Sequence, residues 1–103
     1  MVQIEQLLLD AEDETIGLPL ALSDYVMMHG GIPIQIYGTF EGHVDIEGTI
    51  ATPEEIILGL AEWFVLENAV FTSSDLTALF AAPSHIRANA HLTSGSVSVR
   101  VRL

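Results

Sequence analysis

The chain has 103 residues, of which half are apolar and 17% are charged, and its formal net charge at pH 7 is −11. This length predicts a single domain, and this apolar content is enough for a buried core, which excludes a disordered chain. The absence of cysteine excludes disulfides and thiolate chemistry. The excess of carboxylates disfavours direct binding to nucleic acid, which depends on cations.

The first residues, "MVQIEQLLLDAEDE", lack the basic region of a signal peptide, and no apolar run approaches the roughly 18 residues that a membrane span requires. We therefore expect neither a signal peptide nor a membrane. The charges are also distributed unevenly, because residues 1–67 contain thirteen carboxylates and no Arg or Lys. The three cations are Arg87, Arg100 and Arg102. This uneven charge distribution suits head-to-tail docking of copies or burial of a basic surface against an acidic partner, and solubility with chance placement is the competing interpretation.

The N-terminal region combines short apolar runs with an acidic connector. "IEQLLL" and "LPLALS" predict short strands, and "DAEDETIGLP" between them predicts a solvated connector or arm. We expect residues 1–22 to form an N-terminal arm or edge segment. Residues 23–103 are expected to form one β-sandwich domain.

The middle of the chain alternates between apolar and polar residues with a period of two. "IQIYGTF" and "HVDIEGTI" therefore predict two strands. The inward face of the first strand carries Ile34, Ile36 and Phe40, and that of the second carries Val44, Ile46 and Ile50. "EG" at residues 41–42 predicts the turn of a hairpin between them.

A short helix and a further strand are predicted after this hairpin. "TPEEIILGLAEW" begins with Thr52 as cap and Pro53 at the first position, and Gly59 limits the helix to a turn or two. "EWFVLE" around Trp63 predicts a strand. "SSDLTALFA" is compatible with either a short helix or an irregular strand.

The last twenty residues repeat the alternating pattern. Ile86, Ala88, Ala90 and Leu92 fall on one face, and Val97, Val99, Val101 and Leu103 fall on one face after "TSG". Because Gly95 can adopt positive φ in a tight turn, residues 84–103 predict a second antiparallel hairpin. Taken together, the short strands predict an all-β fold, a compact antiparallel jelly-roll-like β-sandwich with an extended N-terminal arm and one or two short helical turns.

Four histidines are the candidate metal ligands. His85 and His91 lie about 20 Å apart on one predicted strand, so they cannot share an ion within one chain. His43 and Asp45 occupy neighbouring positions on one face and could bind a divalent cation weakly, but ordinary surface polarity is the favoured interpretation. The axis of an oligomer could still build a site from repeated His or Asp residues. Neither a metal, a cofactor nor a catalytic residue is expected.

The order of three segments resembles that of small all-β structural proteins encoded in the virion gene clusters of tailed phages. The segments are "GTFEGHVDIEG", the aromatic "EWFVLE" and the closing "HIRANAHLTSGSVSVRVRL". The matching positions are Gly38, Thr39, Phe40, Gly42, Val44, Gly48, Trp63, Ile86, Arg87, Gly95, Val97, Val99 and Leu103. The resemblance extends roughly from residue 7 to the end of the chain. The chain departs from it in "EGTIATPEEIILGLAEW", where a longer insert replaces a tight turn.

This resemblance implies a capsid decoration (cement) protein that binds the major capsid protein on the outer surface of the virion, often as a homotrimer. It implies no enzymatic activity and supplies no catalytic residues. We expect Leu7, Leu8, Leu9, Arg87, Arg100 and Arg102 to contact a neighbouring subunit or the capsid, with Arg87, Arg100 or Arg102 forming an intersubunit ion pair. The alternatives are a glycan-binding module of a tail or head fibre, which needs an exposed aromatic platform, and an acidic inhibitor that mimics DNA.

Overall fold

The structure is a computed structural model that describes residues 5–11, 15–22, 31–79 and 83–102. These residues form seven strands and one helix. In chain order the elements are β1 (Glu5–Ala11), β2 (Thr15–Ile16), β3 (Leu20–Ala21), β4 (Ile32–Thr49), α1 (Pro53–Ile57), β5 (Phe64–Phe71), β6 (Asp75–Leu79) and β7 (His85–Arg102). Within these ranges, no helix is long and apolar enough to cross a membrane.

Two strands of 18 residues each, β4 and β7, form the centre of the fold. They pair antiparallel along almost their whole length, from Ile34 opposite Val101 to Thr49 opposite His85. The outer edge of β7 pairs with β1, β2 and β3, and the outer edge of β4 pairs with β5 and β6. All seven strands therefore belong to one antiparallel sheet. The predicted all-β class is confirmed, and the division into two sheets of a sandwich stays a prediction.

The two predicted hairpins are wrong. Residues 32–49 form one continuous strand, and so do residues 85–102, so the halves of each segment do not pair with each other. Instead, the segment 34–41 pairs with 94–101, and the segment 42–49 pairs with 85–92. The residues predicted as turns, 41–42 and 93–95, lie inside this ladder, where Glu41 faces Ser94 and Gly95 faces Phe40.

Glycine is required at these places because the backbones of β4 and β7 come very close. A Cβ atom on Gly42 would lie 2.0 Å from the carbonyl oxygen of His91, and one on Gly95 would lie 2.1 Å from that of Thr39. Both glycines have positive φ, 114° and 84° respectively. The positive φ predicted for Gly95 is therefore confirmed, but it serves a bend within a strand and not the turn of a hairpin.

The long strands are strongly bent. Eighteen residues of straight strand would span about 59 Å at the usual rise, whereas the longest extent of the molecule is 36 Å. The buried apolar side chains nevertheless form one cluster that includes both ends of β4, from Ile32 to Ile46. The helix α1 has no buried residue and cannot cover this cluster. We infer that the sheet curves until parts of its apolar face pack against each other.

The apolar rows predicted from alternation form this core. Eleven of the residues predicted to point inward are buried: Ile34, Ile36, Val44, Ile46, Ile86, Ala88, Ala90, Leu92, Val97, Val99 and Val101. Phe40 is only partly buried and packs against the cluster. Ile50 is 86% exposed, because β4 ends at Thr49 and the chain leaves the sheet there. Leu103 lies outside the described residues.

The remaining predictions concern single elements. α1 begins as expected, with Thr52 as cap, Pro53 following it and Glu55 completing a capping box. Gly59, at a φ of 73°, follows the end of this helix. The strand predicted around "EWFVLE" corresponds to β5, and the alternative left open for "SSDLTALFA" resolves to the strand β6.

The N-terminal segment, predicted as an arm or edge segment, is an edge of the sheet, and the strands predicted in "IEQLLL" and "LPLALS" correspond to β1 and β3. Its described residues form β1, β2 and β3, and each of these strands pairs with β7 of the same chain. The reason is that the edge of β7 facing away from β4 would otherwise present unpaired backbone N–H and C=O groups over many residues. The predicted boundary between residues 1–22 and 23–103 stays a prediction.

Candidate functional site

An apolar groove opens where β4 ends and the insert begins. We define it by Ile50, Leu60, Phe64, Leu66 and Pro83, which line one continuous depression. Ile50, Leu60 and Phe64 are 86%, 67% and 64% exposed, so large apolar side chains face solvent at its rim. Contiguous exposed apolar surface on a small protein commonly marks a contact site for another molecule.

Local structure explains why this surface exists. Thr52 accepts a hydrogen bond from the backbone N–H of Glu55, and the Glu55 side chain accepts one from the N–H of Thr52. This capping box stabilises the start of a five-residue helix that buries none of its residues, and Ile57 is 83% exposed. The floor of the groove is tight, because a Cβ atom on Gly48 would lie 2.9 Å from atoms of both Leu66 and Pro83.

The groove has an acidic margin. Glu55 and Glu62 are among the residues that line it together with the apolar ones. Both residues are exposed. A partner surface that fits this groove would therefore be apolar at its centre and basic at its edge.

The three predicted contact arginines differ in their surroundings. Arg87 is half-buried, and its Nε atom donates a hydrogen bond of 2.7 Å to Oε1 of Glu47. Its guanidinium group also lies 4.3 Å from the centroid of the Trp63 ring. Arg100 is exposed and lies 5.5 Å from the centroid of the Tyr37 ring. Arg102 pairs through its backbone with Glu5, and its side chain lies outside the described residues.

Leu7, Leu8 and Leu9, the predicted contact residues of the N-terminal segment, lie in the edge strand β1. Leu7 is opposite Arg100 and Leu9 is opposite Val99, with an irregularity of the register between them. Their side chains are not among the described ones. Contact of these leucines with a neighbouring subunit stays a prediction.

A glycan-binding module would need an exposed aromatic platform, for which Tyr37 and the 64% exposed Phe64 are candidate rings. Tyr37 is the one ring that alternation predicts to point outward, and it is only half-exposed. The guanidinium group of Arg100 lies over its face. A sugar that stacked on this ring would have to displace that contact.

Two histidines and an aspartate meet on the outward face of the central ladder. His43 lies directly opposite His91, and Asp45 is two residues along β4 on the same face. The Nε2 atoms of His43 and His91 lie 3.7 Å and 3.5 Å from Oδ2 of Asp45. The imidazole rings are stacked, with their centroids 4.6 Å apart and an angle of 30° between their planes.

Sequence reasoning paired His43 with Asp45 correctly and missed His91. The reason is the wrong hairpin, which placed residues 42–50 beside 34–40 and not beside 85–92. A signal that could have prevented this is the apolar alternation from Ile34 to Ile46, which continues in phase across Gly42 as in a single strand. His85, the other histidine of β7, accepts or donates a hydrogen bond of 3.0 Å with Ser84 and lies at the far end of this ladder.

Comparisons of this chain with protein-family models, with curated proteins and with solved structures found no match.

Proposed function

We propose that this chain is a structural protein of a phage virion, a capsid decoration protein that binds the major capsid protein on the outer surface of the shell. The observation that carries this proposal is the exposed apolar groove of Ile50, Leu60 and Phe64 on a bent antiparallel sheet. Burying such a groove against another protein removes apolar surface from water, which is the dominant favourable term in protein association. The order of the "GTFEG", "EWFVLE" and "SGSVSVRV" segments supports the phage assignment.

The groove fits a protein partner better than a small charged substrate. Its exposed side chains are large and apolar, and its polar margin consists of Glu55 and Glu62. A chain with a net charge of −11 also favours a partner surface with basic residues around an apolar centre. The insert that departs from the phage pattern carries much of this groove, so we assign to it the specificity for the particular capsid.

Because many copies would bind one capsid, each single contact between a subunit and the capsid can be weak. On a symmetric shell, neighbouring decoration subunits that also contact each other, for example as a homotrimer, bind with an avidity well above that of one contact. We place the groove at the capsid contact. Contacts between copies are then assigned to the β1 edge, with Leu7, Leu8 and Leu9, and to the exposed Arg100.

The test is mass spectrometry of purified particles of the phage that encodes this chain, followed by a density map of the same particles. We expect many copies per particle, with each subunit seated on the shell through residues 50–64. Particles that contain no copies would contradict the virion assignment. Copies found only at the tail would contradict the decoration role while leaving a virion protein, and specific binding on a glycan array would favour the fibre module.

A further inference from the structure

We propose that His43, Asp45 and His91 form a binding site for a first-row divalent transition-metal ion, of which Zn²⁺ is the best probe. The residues offer two imidazole nitrogens and one carboxylate oxygen, which is a donor set that zinc commonly uses in proteins. One donor atom from each residue lies within 4.8 Å of the others. This inference is independent of the proposed virion function.

The distances between the donor atoms are compatible with a shared ion. At 3.7 Å and 3.5 Å, the Nε2 atoms of His43 and His91 are too far from Oδ2 of Asp45 for good hydrogen bonds. Two ligands bound to one tetrahedral zinc at the usual bond lengths lie about 3.3 Å apart. Movements of a few tenths of an ångström would bring the two imidazole–carboxylate pairs to the coordination distance. The two imidazole rings, stacked at 4.6 Å, would also have to rotate so that both Nε2 atoms point at one ion.

The backbone under the three residues is held firmly. His43, Asp45 and His91 alternate along their strands with Val44, Ile46, Ala90 and Leu92, all of which are buried in the core. The ladder also holds the two strands in register through this region, with His43 opposite His91 and Asp45 opposite Asn89. A site on such paired strands loses little conformational entropy when it binds an ion.

The chemistry of the donors selects the class of ion. Imidazole ligands suit zinc, copper and nickel, whereas magnesium and calcium prefer oxygen ligands. The side chains of His43, Asp45 and His91 are 44%, 13% and 35% exposed, so an ion can reach the site from solvent. Three protein ligands leave a fourth position for water or for a donor from another molecule.

The experiment uses the full chain without a histidine tag, treated with a chelator and then titrated with Zn²⁺ by calorimetry. We expect one Zn²⁺ per chain, and at least a tenfold weaker affinity in each of Asp45→Asn and His91→Gln. His85→Gln is the matched control, because it removes a histidine from the same strand outside the cluster, and it should bind as the wild type does. Mg²⁺ should not compete at similar concentrations.

Spectroscopy separates this site from weak surface binding. Zn²⁺ should shift the imidazole NMR signals of His43 and His91 and leave those of His85 unchanged. Co²⁺ in place of Zn²⁺ should give visible absorption bands that are lost in Asp45→Asn. The proposal is overturned if the wild type binds no Zn²⁺ at one ion per chain, if Asp45→Asn binds as tightly as the wild type, or if His85→Gln is weakened as much as His91→Gln.

Discussion

Arg87 and Glu47 face each other across the β4–β7 ladder, and their side chains form a hydrogen-bonded ion pair of 2.7 Å. The Arg87 side chain is 22% exposed and that of Glu47 is 13% exposed. The guanidinium group also packs on Trp63, just before β5. One cation therefore connects three neighbouring segments of the chain. Its first role is inside the subunit, although the sequence predicts a contact with another one.

We expect Arg87→Gln to destabilise the fold by about 2–3 kcal/mol. The substitution removes a charge-assisted hydrogen bond and a cation–π contact, and it leaves the mostly buried Glu47 carboxylate without this cation. Urea denaturation measures the loss, and a double-mutant cycle with Glu47→Gln should give a coupling of about 1 kcal/mol or more. Arg100→Gln is the control, since that side chain is exposed and should cost less than about 1 kcal/mol. Equal losses for both arginines would contradict this assignment.

A second prediction concerns the close approach of the two long strands at Gly95. In Gly95→Ala the new methyl group would lie 2.1 Å from the carbonyl oxygen of Thr39, at a φ of 84°. Steric overlap with the backbone and an unfavourable φ together should cost about 2–5 kcal/mol. Gly59→Ala is a matched control, because Gly59 has a φ of 73° but no atom lies within 4 Å of the place that its Cβ would occupy.

Gly59→Ala should therefore show only the cost of the backbone conformation, about 1–2 kcal/mol. Chemical denaturation of both variants gives the comparison. If the two alanine variants lost the same stability, the ladder would not bring Gly95 and Thr39 as close together as described.

A third prediction concerns the cap of α1. Thr52→Ala removes the acceptor for the Glu55 N–H and should cost the helix about 1 kcal/mol. Because α1 buries no residue, this loss should appear locally, as faster amide hydrogen exchange over residues 55–58, with little change in global stability. Glu55→Gln preserves an acceptor for the Thr52 N–H and should leave exchange close to that of the wild type. A large fall in the global unfolding free energy for Thr52→Ala would mean that α1 supports the core.

Alternation of side chains predicted the core of this protein well, and it predicted strand pairing poorly. The buried row from Ile34 to Ile46 follows from period-two alternation alone, because burial depends on which face of a strand a residue occupies. Pairing depends in addition on whether a glycine turns the chain or lets two strands approach. Gly42 and Gly95 are compatible with a hairpin turn and with a close approach of two strands. Only the contact of each glycine with the opposite backbone shows that the second arrangement is formed.

The same ambiguity of the glycines limited the prediction of the candidate sites from the sequence. His43 and Asp45 lie on one strand, so their spacing was sufficient to bring them together. His91 joins them only through a ladder between residues 48 positions apart in the chain, which local sequence patterns do not encode. The groove was likewise hidden, because Ile50 continues the inward alternation of β4 in the sequence while the strand itself ends one residue earlier.

The last prediction tests the groove directly. Leu60→Ser and Phe64→Ser should weaken binding to capsids that lack this protein at least tenfold, because each removes a large apolar side chain from the proposed contact. Both side chains are mostly exposed in the free subunit, so thermal unfolding should change little. Leu76→Ser is the matched control. Leu76 is 72% exposed but lies in β6, opposite Gln35 and thus near the other end of β4.

Binding is measured by cosedimentation with the capsids, with each variant first checked for an unchanged melting temperature. The expected result is loss of cosedimentation for the two groove variants and wild-type behaviour for Leu76→Ser. Equal binding by all three variants would show that the capsid contact lies elsewhere, and the β1 edge and Arg100 would then be the surfaces to test. Equal loss by all three would instead indicate a general response to lost apolar surface, because Leu76 and the groove lie at opposite ends of β4.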